Sequence, residues 1–491
     1  MNSNKAAQRI ESARHWINGE WVGSSTVAQS VSPSTGEVLG QYSAGGRTEA
    51  AAAIAAARRA FDVGVWSHDP QLRSRALFEL ADRLDERAEA IALMLSREMG
   101  KALRDATWEA ASSPSTLRYN AGTALSQTGT SSEIAPGMFA SSMREPIGVA
   151  GIIVPWNSPV ALLVRALAPA LAAGCTTVVK LPGQTALTNS LIMEAVAATK
   201  SLPNGVVNIF TEAGNEGAPL MVESPDVDAI NYTGSTKVGR QVAEKGAQTL
   251  KRISLELGGK SPLVVFEDAD VETVAPLVVT ALTKFNGEFC MTGSRVLVQR
   301  SVADAWRDRI ASLLQKVVVG RADDQNSEMG PLIDRANVAR IDRFVEDAKR
   351  YARIVVRGGP IVDGPLAAGA FYRPSMLETE ALDVPLIQEE IFGPVLSFET
   401  FATEDEAITR ANATIFGLAA SIFTKDVDRA ERVARAIKAG TVWINTWAVL
   451  NDAFEEGGFK HSGIGRARGL RAMEEFQEVK TQFRLVAPAR L

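Results

Sequence analysis

The sequence predicts an α/β protein of more than one domain, built on parallel sheets. At 491 residues the chain exceeds one ordinary hydrophobic core. From Gly148 onward, short β-branched runs alternate with helical stretches, the signature of parallel strands joined by crossover helices. The alternation begins twice, once near Gly148 and again near Pro262, so two such units are expected.

Ahead of the alternation, segments 48–61 and 71–99 are rich in alanine and arginine, with apolar residues every third or fourth position. That spacing marks amphipathic helices laid on a sheet. Segment 126–145 is polar and, like the tail 481–491, fits neither sheet; both read as strands that pair with another subunit. The most apolar stretch, 147–173, is interrupted by Pro155, Asn157, Pro159 and Arg165. A bilayer span tolerates such groups poorly, so this is a buried strand followed by a helix. Strands are then expected at 151–154, 176–180, 206–210, 229–233 and 253–257, a doubly wound sheet. The second unit places strands at 295–299, 394–398, 418–423 and 441–445.

Composition narrows the function classes. Hydrophobic residues make up 46% and charged residues 22%, which is globular rather than disordered. A net charge of −5 lacks the basic excess that nucleic-acid binding needs. Two cysteines and three histidines cannot build a disulfide framework or a structural zinc site, so no metal and a reducing, cytoplasmic setting are expected. The opening MNSNKAAQRIES has no apolar core of a secretory signal.

His15, His68 and His461 each lie far in sequence from any plausible nucleophile, which disfavours serine–histidine or cysteine–histidine chemistry. Cys175, between Gly174 and an apolar run, reads as a small buried hydrophobe. Cys290 differs: in FNGEFCMTGSR it follows a helical segment and a glycine, where a loop presents a thiol to backbone amides. Glu256 sits in LELGGKSP at a strand end, between Leu255 and Leu257 and before Gly258 and Gly259. Burial there raises a carboxyl toward the working range of a general base.

These two segments resemble the signatures of the aldehyde dehydrogenase superfamily. Further segments follow in that family's order: IIVPWNSP at 152–159, VVK at 178–180, YTGSTKVG at 232–239, EEIFGPV at 389–395 and GGFKHSGIGR at 457–466. The resemblance spans roughly 17–480 and implies a Rossmann-like cofactor-binding domain over 1–124 and 147–257. It further implies an α/β catalytic domain over 258–470 and a small β oligomerisation element from 125–146 and 478–491. Cys290 is then the nucleophile, Glu256 the base that activates water, and Asn157 an oxyanion donor beside the Cys290 backbone amide. The implied cofactor is NAD or NADP, contacted by Trp156, Lys180, Gly183, Gly214, Gly234, Ser235, Gly239, Leu257, Glu390 and Phe392. A small-molecule aldehyde is the substrate, and a homodimer or homotetramer the assembly. Two alternatives stand beside this one: a CoA-acylating relative, disfavoured by Glu256, and a non-catalytic dinucleotide-binding protein of the same fold.

Departures from the family pattern qualify the expectation. Three residues after Lys180, where NAD-selective relatives often carry an acid, stands Gly183, so NADP use is expected and Gly183→Glu should shift preference toward NAD. Ser158 replaces an aromatic, Glu455 and Glu456 replace a Pro-Phe pair, and Ala467 replaces an acid. Arg165 in the apolar helix either widens and polarises the substrate tunnel or points away into an ion pair.

Overall fold

The computed structural model describes residues 12–486. The N-terminal segment read as lacking a signal and the last part of the tail, 487–491, lie outside the described residues.

An eight-stranded sheet forms the first unit. Its five central strands are parallel and lie in the order Val207–Glu212, Thr176–Pro182, Val149–Ile153, Ala229–Thr233, Arg252–Glu256. The chain therefore starts in the middle, winds outward one way, then returns and winds outward the other way. The carboxyl ends of Val149–Ile153 and Ala229–Thr233 mark the point where the winding reverses, and a doubly wound sheet opens a crevice there. The five runs anticipated from sequence coincide with these strands to within two residues. Strand Gly463–Ile464, just over two hundred residues away in sequence, closes one edge antiparallel to Arg252–Glu256. Directly beyond, Leu257 N–H donates to the Ser462 carbonyl at 2.9 Å.

The second sheet has seven strands in the order Arg353–Val356, Ser375–Glu378, Val395–Phe401, Arg295–Gln299, Pro262–Val265, Ala419–Phe423, Thr441–Ile444. All neighbours are parallel except the Arg353–Val356 pair. Leu263, Val265, Val296, Val298, Leu396 and Phe398 pack under helices Val271–Thr283 and Ala303–Leu314, forming one apolar core. Segment 71–99 is two helices, Pro70–Asp85 and Ala88–Met99, separated at Glu86 and Arg87. Among the described residues no helix is long and apolar enough to cross a membrane.

The third sheet corrects one expectation. Gln477–Leu485 pairs antiparallel with Met138–Pro146 of the same chain, from Gln477↔Pro146 to Leu485↔Met138, and Thr130–Ala135 pairs on the other side. The strands complete one another within the chain because Ile147 N–H donates to the Phe476 carbonyl at 2.9 Å, which sets the tail beside the hairpin. What remains open is the outer edge of each flanking strand, with Ile134, Val479, Phe483 and Leu485 exposed.

Helix Pro159–Ala173 carries the segment after the first central strand. Its start is held by Glu109, whose Oε1 accepts from Val160 N–H at 3.0 Å and Ala161 N–H at 3.1 Å. Lys101, wholly buried, pairs with Glu109 and donates to Ser158 Oγ at 3.0 Å. An acid at a helix N-terminus satisfies amides that lack intrahelical partners. Ser158 is therefore turned into this buried cluster.

Candidate active site

The crevice contains a cavity of about 310 Å³ lined by Pro155, Trp156, Asn157, Leu162, Thr233, Gly234, Ser235, Glu256, Leu257, Gly258, Cys290, Arg340, Glu390, Ile391 and Phe392. Three of its walls are the ends of parallel strands: 155–157 follows Val149–Ile153, 233–235 ends Ala229–Thr233, and 256–258 ends Arg252–Glu256. The second unit supplies the fourth wall through Cys290 and 390–392.

Cys290 is half-buried in a turn after Phe285, Asn286 and Gly287, three consecutive residues with φ between 51° and 77°. The turn is anchored by Asn286, whose Nδ2 donates to the carbonyls of Gly100 and Pro331 at 2.9 and 2.7 Å, while its Oδ1 accepts from Gly330 N–H at 2.8 Å. Gly287 allows the close approach of 393–394, since an added Cβ would stand 2.5 Å from the Gly393 carbonyl carbon. Burial pushes the Cys290 thiol up to about 12, with Arg165 pulling the other way. Cys175 is buried, donates its S–H to the Phe476 carbonyl at 3.3 Å and lies apart from the cavity.

Glu256 is 5% exposed, and its Oε1 has no hydrogen-bond partner. Burial raises its carboxyl to about 7; Arg165 lowers it, Glu456 raises it and Arg466 lowers it. Asn157, also buried, donates through Nδ2 to the Glu288 carbonyl at 3.0 Å, which fixes the amide and leaves its second N–H free. None of the three histidines lines the cavity.

The cofactor candidates divide into those at the cavity and those along the sheet edge. Trp156 and Phe392 meet edge to face with ring centroids 5.7 Å apart, across the two units. Glu390 Oε1 accepts from Gly259 N–H at 3.0 Å, and burial raises this carboxyl to about 7. Ser235 caps helix Thr236–Gly246, accepting from Val238 N–H at 3.4 Å, and Gly239 lies in its first turns against the Leu257 side chain. Lys180 lies within strand Thr176–Pro182, paired with Ile153, Gly183 is buried, and Gly214 is exposed in the turn after Val207–Glu212. A crevice at the switch of winding, a helix start whose first amides lack intrahelical partners and two aromatic rings set edge to face fit a dinucleotide.

Two expectations change here. An added Cβ at Gly183 would stand 2.5 Å from the Tyr42 hydroxyl and 3.0 Å from Ala213 Cα, so this glycine is a packing position and Gly183→Glu distorts its surroundings. Burial lowers the Lys180 ammonium, and the nearby Glu212 carboxylate works against that. Arg165 does enter an ion pair, with Glu456 Oε1 at 2.6 Å, but it does not point away, since the same nitrogen lies 3.7 Å from Glu256 Oε2. Sequence reasoning missed Thr233, Leu162 and Arg340; the last sits on the amphipathic helix Arg335–Ala348, where an arginine reads as a solvated residue.

Comparison with known proteins places this geometry. The aldehyde dehydrogenase family matches residues 21–482. The chain is 37% identical over 486 residues to aldehyde dehydrogenase 1 of Tanacetum cinerariifolium, covering 98% of this chain and 96% of that protein. It is 35% identical over 480 residues to betaine aldehyde dehydrogenase of Bacillus subtilis strain 168, covering 96% and 98%. A crystal structure of betaine aldehyde dehydrogenase from Staphylococcus aureus in complex with NAD+ superposes with a TM-score of 0.95 at 34% identity, covering 98% of this chain and 96% of that one.

Proposed function

The chain belongs to the aldehyde dehydrogenase family, and from that premise we propose that it oxidises a small aldehyde to a carboxylic acid with NAD, through a covalent bond to Cys290 that Glu256-activated water breaks. The observation that carries this reading is one cavity holding a half-buried thiol, an orphaned carboxyl raised to about 7 and an anchored amide.

Cys290 Sγ, its proton released, attacks the aldehyde carbon as the thiolate. The carbonyl oxygen becomes an oxyanion that the free Asn157 N–H and the Cys290 backbone amide stabilise; one such donor contributes about 2.7–4 kcal/mol. A nicotinamide cofactor, when bound, would supply the hydride acceptor. Trp156, Phe392 and Glu390 would hold that end of the cofactor, while Ser235 and the start of helix Thr236–Gly246 would receive its phosphates. Once the carbon is at the thioester level, Glu256 takes a proton from water, hydroxide adds, and Cys290 leaves as thiolate. A base poised at neutrality favours water over CoA as the acceptor.

The test is a panel of propanal, benzaldehyde, succinic semialdehyde and betaine aldehyde with NAD or NADP, with and without CoA, followed by absorbance of the reduced cofactor. Acid formation without CoA is expected; turnover only with CoA would support the acylating alternative, and none at all the non-catalytic one. We expect NADP to be used within about tenfold of NAD, about 1.4 kcal/mol, because residue 183 presents no carboxylate to a 2′-phosphate. Lys180→Met should lower NADP use more than NAD use. A preference for NAD of a hundredfold or more, unchanged in Lys180→Met, would assign selectivity to another feature.

The open strands of the third sheet point to a homodimer or a dimer of dimers. An unpaired edge beside exposed Ile134, Phe483 and Leu485 favours pairing with a second copy. Light scattering should show at least twice the single-chain mass, and a fully active single chain would reject the assembly.

A further inference from the structure

Arg165 projects from a helix whose other inward residues are Leu163, Val164, Leu167 and Leu171. Burying a guanidinium in such surroundings is costly unless its charge is matched. Here it is matched by two carboxylates rather than one. Arg165 NH1 donates to Glu456 Oε1 at 2.6 Å and faces Glu256 Oε2 at 3.7 Å, while NH2 donates to Thr233 Oγ1 at 3.1 Å. A second arginine continues the row: Arg468 Nε lies 3.4 Å from Glu456 Oε2, and Arg468 NH1 pairs with Asp452. Asp452 in turn accepts from Ser115 and Thr116 at 2.9 and 2.7 Å. Charges thus alternate in sign from Glu256 to Asp452, ending on helix Leu103–Thr123.

The spacing within this row is informative. At 3.7 Å Arg165 attracts Glu256 without hydrogen-bonding it, so the carboxylate is oriented yet keeps both oxygens free for a proton. A direct bidentate contact would instead stabilise the anion strongly and weaken it as a base. The carboxylate that Arg165 does hydrogen-bond is that of Glu456, which Arg468 holds from the other side.

We propose that Arg165 is a positioning residue for Glu256, and that Glu456, braced by Arg468, sets how much of the arginine's charge the base receives. This rests on Glu256 being the base. The charged groups facing Glu256 are Arg165 from the helix and Glu456 and Arg466 from the C-terminal loops, with the Cys290 thiol beside them. Arg165 lowers the Glu256 carboxyl and Glu456 raises it, so removing them acts in opposite directions. Without Arg165, Glu256 holds its proton to higher pH. Without the Glu456 charge, Arg165 turns its full charge on Glu256, which then ionises at lower pH.

The experiment is the pH dependence of kcat and KM for wild type, Arg165→Met, Glu456→Gln and the double variant, using whichever panel aldehyde is turned over fastest. The acid limb of kcat should move up by about one pH unit in Arg165→Met and down in Glu456→Gln, with the double variant near wild type. KM should change little in all three. If Arg165→Met does not fold, the downward shift in Glu456→Gln carries the test alone. An unchanged limb, shifts in the same direction, or a rise in KM without a shift would overturn the proposal. Glu256→Gln assayed alongside separates the two readings: full turnover there removes Glu256 as base, whereas lost turnover with unmoved limbs removes only the role of Arg165 and Glu456.

Discussion

Cys290→Ala should abolish aldehyde oxidation while NAD binding stays within about twofold of wild type. No other side chain lining the cavity can form a carbon–sulfur bond, and the remaining cysteine, Cys175, is buried with its thiol donated to Phe476. Removing the nucleophile of a covalent mechanism lowers kcat by on the order of 10⁴-fold or more. Cofactor binding survives because its contacts belong to other elements: the Ser235 cap, the Trp156–Phe392 edge and Glu390 anchored on Gly259. Alanine also fits the turn, since Asn286 holds it from both sides independently of the thiol. Reduced-cofactor absorbance measures the first quantity, and quenching of tryptophan fluorescence on NAD addition the second. Retained oxidation would refute the covalent mechanism.

Glu256→Gln has the next largest effect and separates two steps. Loss of a general base costs about 10²–10⁴-fold, and here the loss falls on thioester hydrolysis. The variant should give a single burst of reduced cofactor equal to the number of sites, then almost no steady state. Glutamine keeps the shape of the side chain, and the bond between Arg165 and Glu456 remains to hold the helix. Wild-type turnover should rise as pH passes about 7, because only the ionised carboxyl accepts a proton, and this limb should vanish in the variant. A missing burst, seen by stopped-flow absorbance, would show that Glu256 is also needed to form the thiolate.

Much of this site is legible in the sequence, and the pattern of what is not is physical. The central strands announce themselves because a buried parallel strand is a continuous β-branched run, and the motifs fall at their carboxyl ends. Arg165 and Glu456 were each visible as departures, but their pairing was not. They lie 291 positions apart, and periodicity reports only neighbours on one element. Gly183 illustrates a different limit: its absent side chain was read by charge, whereas Tyr42 and Ala213 occupy the space beside it. The third sheet was recognised as strand-like from its polarity, but closure within one chain depends on where Phe476 passes Ile147, which no local pattern encodes.

The strand that ends on Glu256 is completed by Gly463–Ile464, and Leu257 is tied to Ser462. During synthesis the reactive thiol therefore leaves the ribosome long before the residues that enclose it. At about 5–20 residues per second, the interval from Cys290 to Gly463 is on the order of 10–30 s. Throughout that time the nascent chain carries its nucleophile beside an unfinished sheet edge, and the catalytic constellation closes only when translation is almost complete. Premature termination anywhere in that interval leaves a chain with a thiol and a base but without strand Gly463–Ile464 beside the base.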